Sequence, residues 1–184
     1  PREEEFAWPL WLAGWTTYAL LDDSRAVVLH GHGRTRVGVL DVRSGELVDL
    51  PVDGEWRPGL GTDGSRVAGV MASPTMPRTV VSVDLSSGAV QELRPAASDV
   101  PAADVLPLPV KRTFLRDDGQ EVHAYVHAPR NSGAEGPVGE RAPYIAIVHG
   151  GPTAAAHGIL DLEIAYFTSR GIGVVDVDYG GSTG

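Results

Sequence analysis

The chain has 184 residues, 42% of them hydrophobic, and a formal net charge of -9 at pH 7, a composition that suits a globular protein of one large or two small domains and argues against disorder. Its single Lys, Lys111, and its scattered Arg residues form no basic cluster, so a nucleic-acid partner is not expected. The absence of Cys removes disulfides and thiolate metal sites.

The amino terminus, PREEEF, lacks the basic and apolar regions of a signal peptide, and no apolar run approaches the roughly 18 residues needed to cross a bilayer. No membrane partner and a cytoplasmic location are expected. Glu3-Glu4-Glu5 reads first as a solvated charge run. Trp8, Trp11 and Trp15 read as core of the β-repeats that follow.

Those repeats show once the turn residues are aligned. LDDSRAVVL, from Leu21, matches GTDGSRVAGV, from Gly61, and LDVRSGELVDL matches VDLSSGAVQEL. The offset from Asp22 to Asp63, and from Ser44-Gly45 to Ser87-Gly88, falls within the roughly 40 to 45 residues of a four-stranded propeller blade. Strands are predicted over 26–30, 36–42 and 46–50 in the first copy and over 66–71, 78–85 and 90–93 in the second. Ser87-Gly88 makes a tight hairpin. A closed propeller needs about four to eight blades, so residues 1–94 are expected to be a partial β-propeller of about two blades.

PAASDVPAADVLPLP, residues 95–109, is rich in Pro and Ala without periodicity and reads as a linker. Two strands are predicted around Asp117-Asp118-Gly119, then a surface loop over 131–141. Ile145–Val148 is a continuous apolar run suited to a strand covered on both faces. Leu160, Ile164 and Phe167 recur at helical spacing, with Gly171 where a helix stop belongs and an apolar strand after it. Strand, helix, strand is the unit of a parallel sheet.

Between that strand and that helix lies His149-Gly150-Gly151-Pro152. A glycine pair after a parallel strand lets the backbone approach a ligand and leaves amide groups to face an anion. Ligands bind at that end of the strands in open α/β sheets. Acyl transfer needs such a place, because one preset donor to the developing oxyanion is worth roughly 3 to 4 kcal/mol. A plain Gly-Pro turn is the simpler alternative.

IAIVHGGPTA, followed by a helix and YFTSRGIGVVDVDYGGSTG, resembles the prolyl oligopeptidase family of serine peptidases, and HGGP resembles its acylaminoacyl-peptidase and dipeptidyl-aminopeptidase branch. The resemblance implies a β-propeller followed by an α/β-hydrolase domain, so that residues 110–184 would be the N-terminal part of that domain, cut before its nucleophile elbow. It implies a peptide substrate cleaved near its amino terminus, no cofactor, and a propeller that limits access. Gly151 would give its N–H to the oxyanion, with His149 and Gly150 shaping the turn and Pro152 fixing its exit. Glu4 and Glu5 would be the candidates for holding a substrate's free amine. A homo-oligomer is left open, as is a catalytically inactive propeller-containing interaction protein or a carboxylesterase.

Gly180-Gly181-Ser182-Thr183-Gly184 satisfies G-x-S-x-G, the pattern of a nucleophile elbow. Ser182 is nevertheless not expected to be the nucleophile. It follows the strand next after the oxyanion turn, the family carries a similar non-catalytic Y-[GR]-G-S-T-G segment, and in α/β-hydrolases the acid and base come after the serine. Nucleophile, acid and base are therefore expected outside these residues, and this chain alone is expected to be inactive. Asp176, on a buried strand, reads as backbone-bonding as readily as chemical. His30, His32, His123 and His127 have no third ligand at metal spacing and read as surface or satisfied core residues. His157 reads as an exposed loop residue, and no metal site is expected.

Overall fold

The computed structural model describes residues 2–8, 13–151 and 154–183. It divides into two compact units, residues 1–73 with 78–98, and residues 74–77 with 99–184.

The first unit holds two antiparallel four-stranded meanders. One is formed by β1 (Tyr18–Leu20), β2 (Arg25–His30), β3 (Arg36–Asp41) and β4 (Leu47–Asp49), and the other by β5 (Glu55–Thr62), β6 (Arg66–Ala72), β7 (Thr79–Asp84) and β8 (Val90–Pro95), each in sequential order. The repeat seen in the sequence is reproduced atom by atom. Gly45 N–H bonds Asp41 O and Gly88 N–H bonds Asp84 O, both at 2.8 Å. Asp41 Oδ1 accepts the N–H groups of Arg43 and Ser44, as Asp84 Oδ1 accepts those of Ser86 and Ser87. Asp22 and Asp63 close the β1–β2 and β5–β6 turns in the same way. An aspartate that satisfies two turn amides stands in for a missing strand partner.

Sequence periodicity missed the first strand of each meander. β1 is only three residues long, and β5 carries Pro58, Gly59 and Gly61, with a register shift between Arg57 and Gly61. Proline and glycine are tolerated there because a bulge needs no ladder bond at the displaced residues. β5 also supplies a buried aromatic, Trp56, at 0% exposure, packed where Gly69 leaves room for its ring. The expectation that Trp8 and Trp15 are core is corrected. Trp15 is 40% exposed, Trp8 meets it edge to face, and the Arg57 guanidinium lies over the Trp8 ring. Trp11 lies outside the described residues.

The second unit holds β9 (Val110–Leu115), β10 (Glu121–His127), β11 (Tyr144–Val148), helix α1 (Leu162–Thr168) and β12 (Gly173–Asp178). The sheet order is β11-β12-β10-β9, with β11 and β12 parallel and the other pairs antiparallel. Asp161 caps α1 by accepting the N–H groups of Glu163 and Ile164. Gly171, at φ +85°, ends the turn beyond it, with Ile172 N–H bonded to Phe167 O and Gly171 N–H to Thr168 O, the paired bonds of a Schellman stop.

Two further expectations are corrected here. β11 is not covered on both faces: Tyr144, Ala146 and Val148 are exposed while Ile145 and Ile147 are half-buried. It is an edge strand among the described residues. Within the stretch 95–109, Leu106 is 1% exposed, and the second unit takes in the chain from Asp99 onward. His127 is a core residue at 1% exposure but not a satisfied one, since neither ring nitrogen has a hydrogen-bond partner among the described residues.

Candidate active site

The parallel pair β11–β12 fixes the site, since both strands run out at the same end of the sheet. Val148 lies beside Val177 in the register, and the chain leaves β11 at His149 and β12 at Tyr179. The two exits are bonded to each other. Tyr179 Oη donates to His149 O at 3.1 Å and to Gly151 O at 2.9 Å. The His149 and Tyr179 rings stack with centroids 4.4 Å apart. Thr183 N–H bonds Ala154 O at 3.0 Å, and Asp178 Oδ1 accepts the Ala156 N–H at 2.7 Å.

Gly151 has φ +78°, a conformation that side chains rarely adopt. Gly150 is different. Its φ is not positive, and a Cβ built on it would meet nothing within 4 Å among the described residues. Neither backbone strain nor packing in the described chain requires glycine at 150. Among the described residues, no hydrogen-bond acceptor faces the N–H of Gly150 or of Gly151. Pro152 lies outside the described residues.

Ser182 lies 2.7 Å from His149 Nε2, and its hydroxyl also reaches Tyr179 O at 2.7 Å. A serine has one hydroxyl hydrogen, and a carbonyl can only accept it. His149 Nε2 is therefore the donor to Ser182 Oγ, and a nitrogen that holds a proton cannot remove one. Nor is there an acid on the far side of the ring, since His149 Nδ1 has no partner among the described residues. Asp178 Oδ1 is 4.0 Å from Nε2, the wrong nitrogen for a triad. Ser182 Oγ is thus placed between a donor, His149 Nε2, and an acceptor, Tyr179 O.

Asp178, with its side chain 5% exposed, is the strand carboxylate that bonds the backbone. Burial, and then the neighbouring Asp178, push the Asp176 carboxyl above the usual range. His157 is half-buried and not exposed, a correction that follows from its place in the segment leading to the buried Ile159.

Glu4 and Glu5 lie in the first unit. Glu4 is held by His30 Nδ1 and by Arg36 Nη2, each at 2.9 Å, while Asp49 meets the other ends of the same two side chains. Asp49 Oδ1 is 2.8 Å from His30 Nε2 but out of line for a hydrogen bond. The His30 hydrogen bond, foremost among several causes, holds the Glu4 carboxyl below its usual range. Glu5 pairs through its backbone with Gly31, and its side chain is exposed. No group of three metal-ligating side chains occurs among the described residues, and no helix there is long and apolar enough to cross a membrane.

No family model and no curated protein matches the chain. Among solved structures, a Mycobacterium tuberculosis puromycin-hydrolysing peptidase superimposes with TM-score 0.94 at 49% identity, covering 100% of this chain and 28% of that one. A puromycin hydrolase variant complexed with PGG gives 0.91 at 45%, again over 100% of this chain and 28% of that one. These neighbours are serine peptidases of the prolyl oligopeptidase family. Over the 28% of each that it spans, this chain is similar to them. A Pyrococcus horikoshii acylaminoacyl peptidase, at 21% identity and TM-score 0.60 over 91% of this chain and 26% of that one, shares the fold. The two meanders thus correspond to propeller-like sheets in the N-terminal part of prolyl oligopeptidase family members.

The sequence resemblance singled out His149, Gly150 and Gly151, and the structure brings them together with Tyr179 and Ser182. Tyr179 as a partner of the turn was missed. The signal available was its recurrence in the family-like YGGSTG segment, which marks the segment without saying what the phenol touches.

Proposed function

We propose that the protein carrying this chain is a serine peptidase that cleaves short peptides near their amino terminus through an acyl-enzyme. In this proposal the mixed sheet with α1 opens an α/β-hydrolase domain, and the two meanders are blades of a β-propeller. A serine hydroxyl attacks the scissile carbonyl carbon while a histidine takes its proton. The C–N bond then breaks as that proton passes to the departing amine, and water hydrolyses the ester by the same two transfers in turn. The chain spans 28% of the length of the puromycin-hydrolysing peptidase, and the proposal assigns nucleophile, acid and base to the remainder. The residues described here contribute the Gly151 N–H, which receives the carbonyl oxygen as it becomes an oxyanion. A peptide substrate agrees with the peptidases that the chain resembles, and no cofactor takes part in these steps.

The observation that carries the proposal is Gly150. Gly150 needs no unusual φ and meets no neighbour within 4 Å, properties it shares with Gly61, Gly136 and Gly180, and what sets it apart is its place beside the Gly151 N–H, which no described acceptor meets. Space reserved for a substrate carbonyl supplies a reason for glycine there. In the complete protein, Gly150→Ala should melt within about 1 °C of wild type, because a surface-type substitution at a permitted φ changes stability little. It should lower kcat/KM on a chromogenic aminoacyl amide by about 10-fold or more, because a methyl group then occupies the carbonyl's place. Unchanged kcat/KM would remove the ground for this assignment. Wild-type protein that takes no fluorophosphonate label would favour the inactive interaction protein instead.

A further inference from the structure

We infer that Tyr179 is a positioning residue for the oxyanion turn, an inference that rests on the hydrolase reading above. One phenolic hydrogen is shared between two carbonyls, His149 O at 3.1 Å and Gly151 O at 2.9 Å, a three-centre bond. Those carbonyls belong to alternate peptides, the one joining His149 to Gly150 and the one following Gly151. The peptide between them carries Gly150 C=O and Gly151 N–H, and neither group is bonded among the described residues.

The consequence follows from planarity. There are no cis bonds in the described chain, and in a trans peptide the C=O and N–H point in opposite directions. Holding the two outer peptides by their carbonyls leaves the middle one little freedom to rotate. Without that hold, two adjacent glycines populate both signs of φ, and the Gly151 N–H would sweep a wide arc. The other bonds reinforce the clamp at both limbs. His149 Nε2 donates to Ser182 Oγ on one side of the turn, and Ala154 O accepts from Thr183 N–H on the other. The segment from Tyr179 to Thr183 is thus a brace for the loop that precedes α1, and its serine is a strut.

Tyr179→Phe in the complete protein tests this, because it keeps the ring stacked on His149 and deletes only the hydroxyl. The loss should be confined to the transition state: kcat falls about 10- to 100-fold with KM within about twofold, the scale expected when an oxyanion donor is misplaced and not removed. Affinity for a peptide boronate that forms a tetrahedral adduct should fall by the same factor. Affinity for a product-like peptide, bound as ground state, should not change. A variant that weakens boronate and product equally, or that leaves kcat within about twofold of wild type, overturns the clamp. Active wild type with an unaltered variant defeats the clamp alone. Inactive, unlabelled wild type defeats the hydrolase reading and the clamp with it.

Discussion

Ser182 satisfies the nucleophile-elbow pattern while its hydroxyl is committed to two neighbouring groups. Its hydroxyl hydrogen goes to Tyr179 O, and its lone pair receives the His149 proton. A nucleophile needs the reverse polarity, with the hydroxyl donating to the imidazole. Ser182→Ala should therefore reduce kcat of the complete protein by about 10-fold or less, through the loss of one strut. Removal of a true nucleophile costs on the order of a million-fold. Steady-state kinetics on one peptide substrate separates the two outcomes, and a loss beyond about 10,000-fold would restore Ser182 to the catalytic list. Fluorophosphonate labelling of the variant is expected to persist.

Among the elements, β10 contains a polar group with an unusual cost. Its last residue, His127, is 1% exposed, with both ring nitrogens unpartnered among the described residues, and burial pushes its pKa below the ordinary imidazole range. A histidine buried in its neutral form binds a proton more weakly folded than unfolded. Stability is full above the unfolded value, near 6.5, and falls as pH drops through it toward the folded value. Replacing it by Leu should stabilise the protein by about 1 kcal/mol at neutral pH, since an unsatisfied buried polar group is removed. The same variant should lose less of its melting temperature between pH 7.5 and 5.5 than wild type does. Thermal melts at the two pH values check both parts, and parallel slopes would refute the second.

At the scale of the molecule, the device that recurs through the first unit is the aspartate-capped turn. Asp22, Asp41 and Asp63 are held below the usual carboxylate range chiefly by backbone N–H groups, and Asp84 chiefly by the Ser86 hydroxyl. A carboxylate with a depressed folded pKa contributes stability that is present above its unfolded value, near 3.8, and lost as pH falls toward the folded value. The melting temperature should therefore hold between pH 6 and 5 as far as these turns are concerned and drop steeply below about pH 4. An Asp63→Asn, Asp84→Asn double variant keeps an acceptor oxygen at each turn but has no charge to lose there, so its drop between pH 5 and 3 should be shallower. Circular dichroism melts across that range check this, and coincident profiles would show that the turns are not the acid-labile part.

The sequence by itself determined what depends on near neighbours along the chain. The hairpins repeat because Asp and Ser-Gly residues turn the backbone locally, α1 stops at Gly171 because only its own last turn needs closing, and the glycine pair after β11 is visible as a break in an apolar run. The tertiary structure decided what depends on distant partners. β1 and β5 became strands despite weak propensity because neighbouring strands pair with them. His30 became a core residue because Glu4 and Asp49, from two other segments, meet its ring. Tyr179 reaches carbonyls 28 and 30 residues earlier, and Ser182 a ring 33 residues earlier. Such contacts exist only after β11 and β12 lie side by side, and no local periodicity records which side chains that pairing will bring within a hydrogen bond.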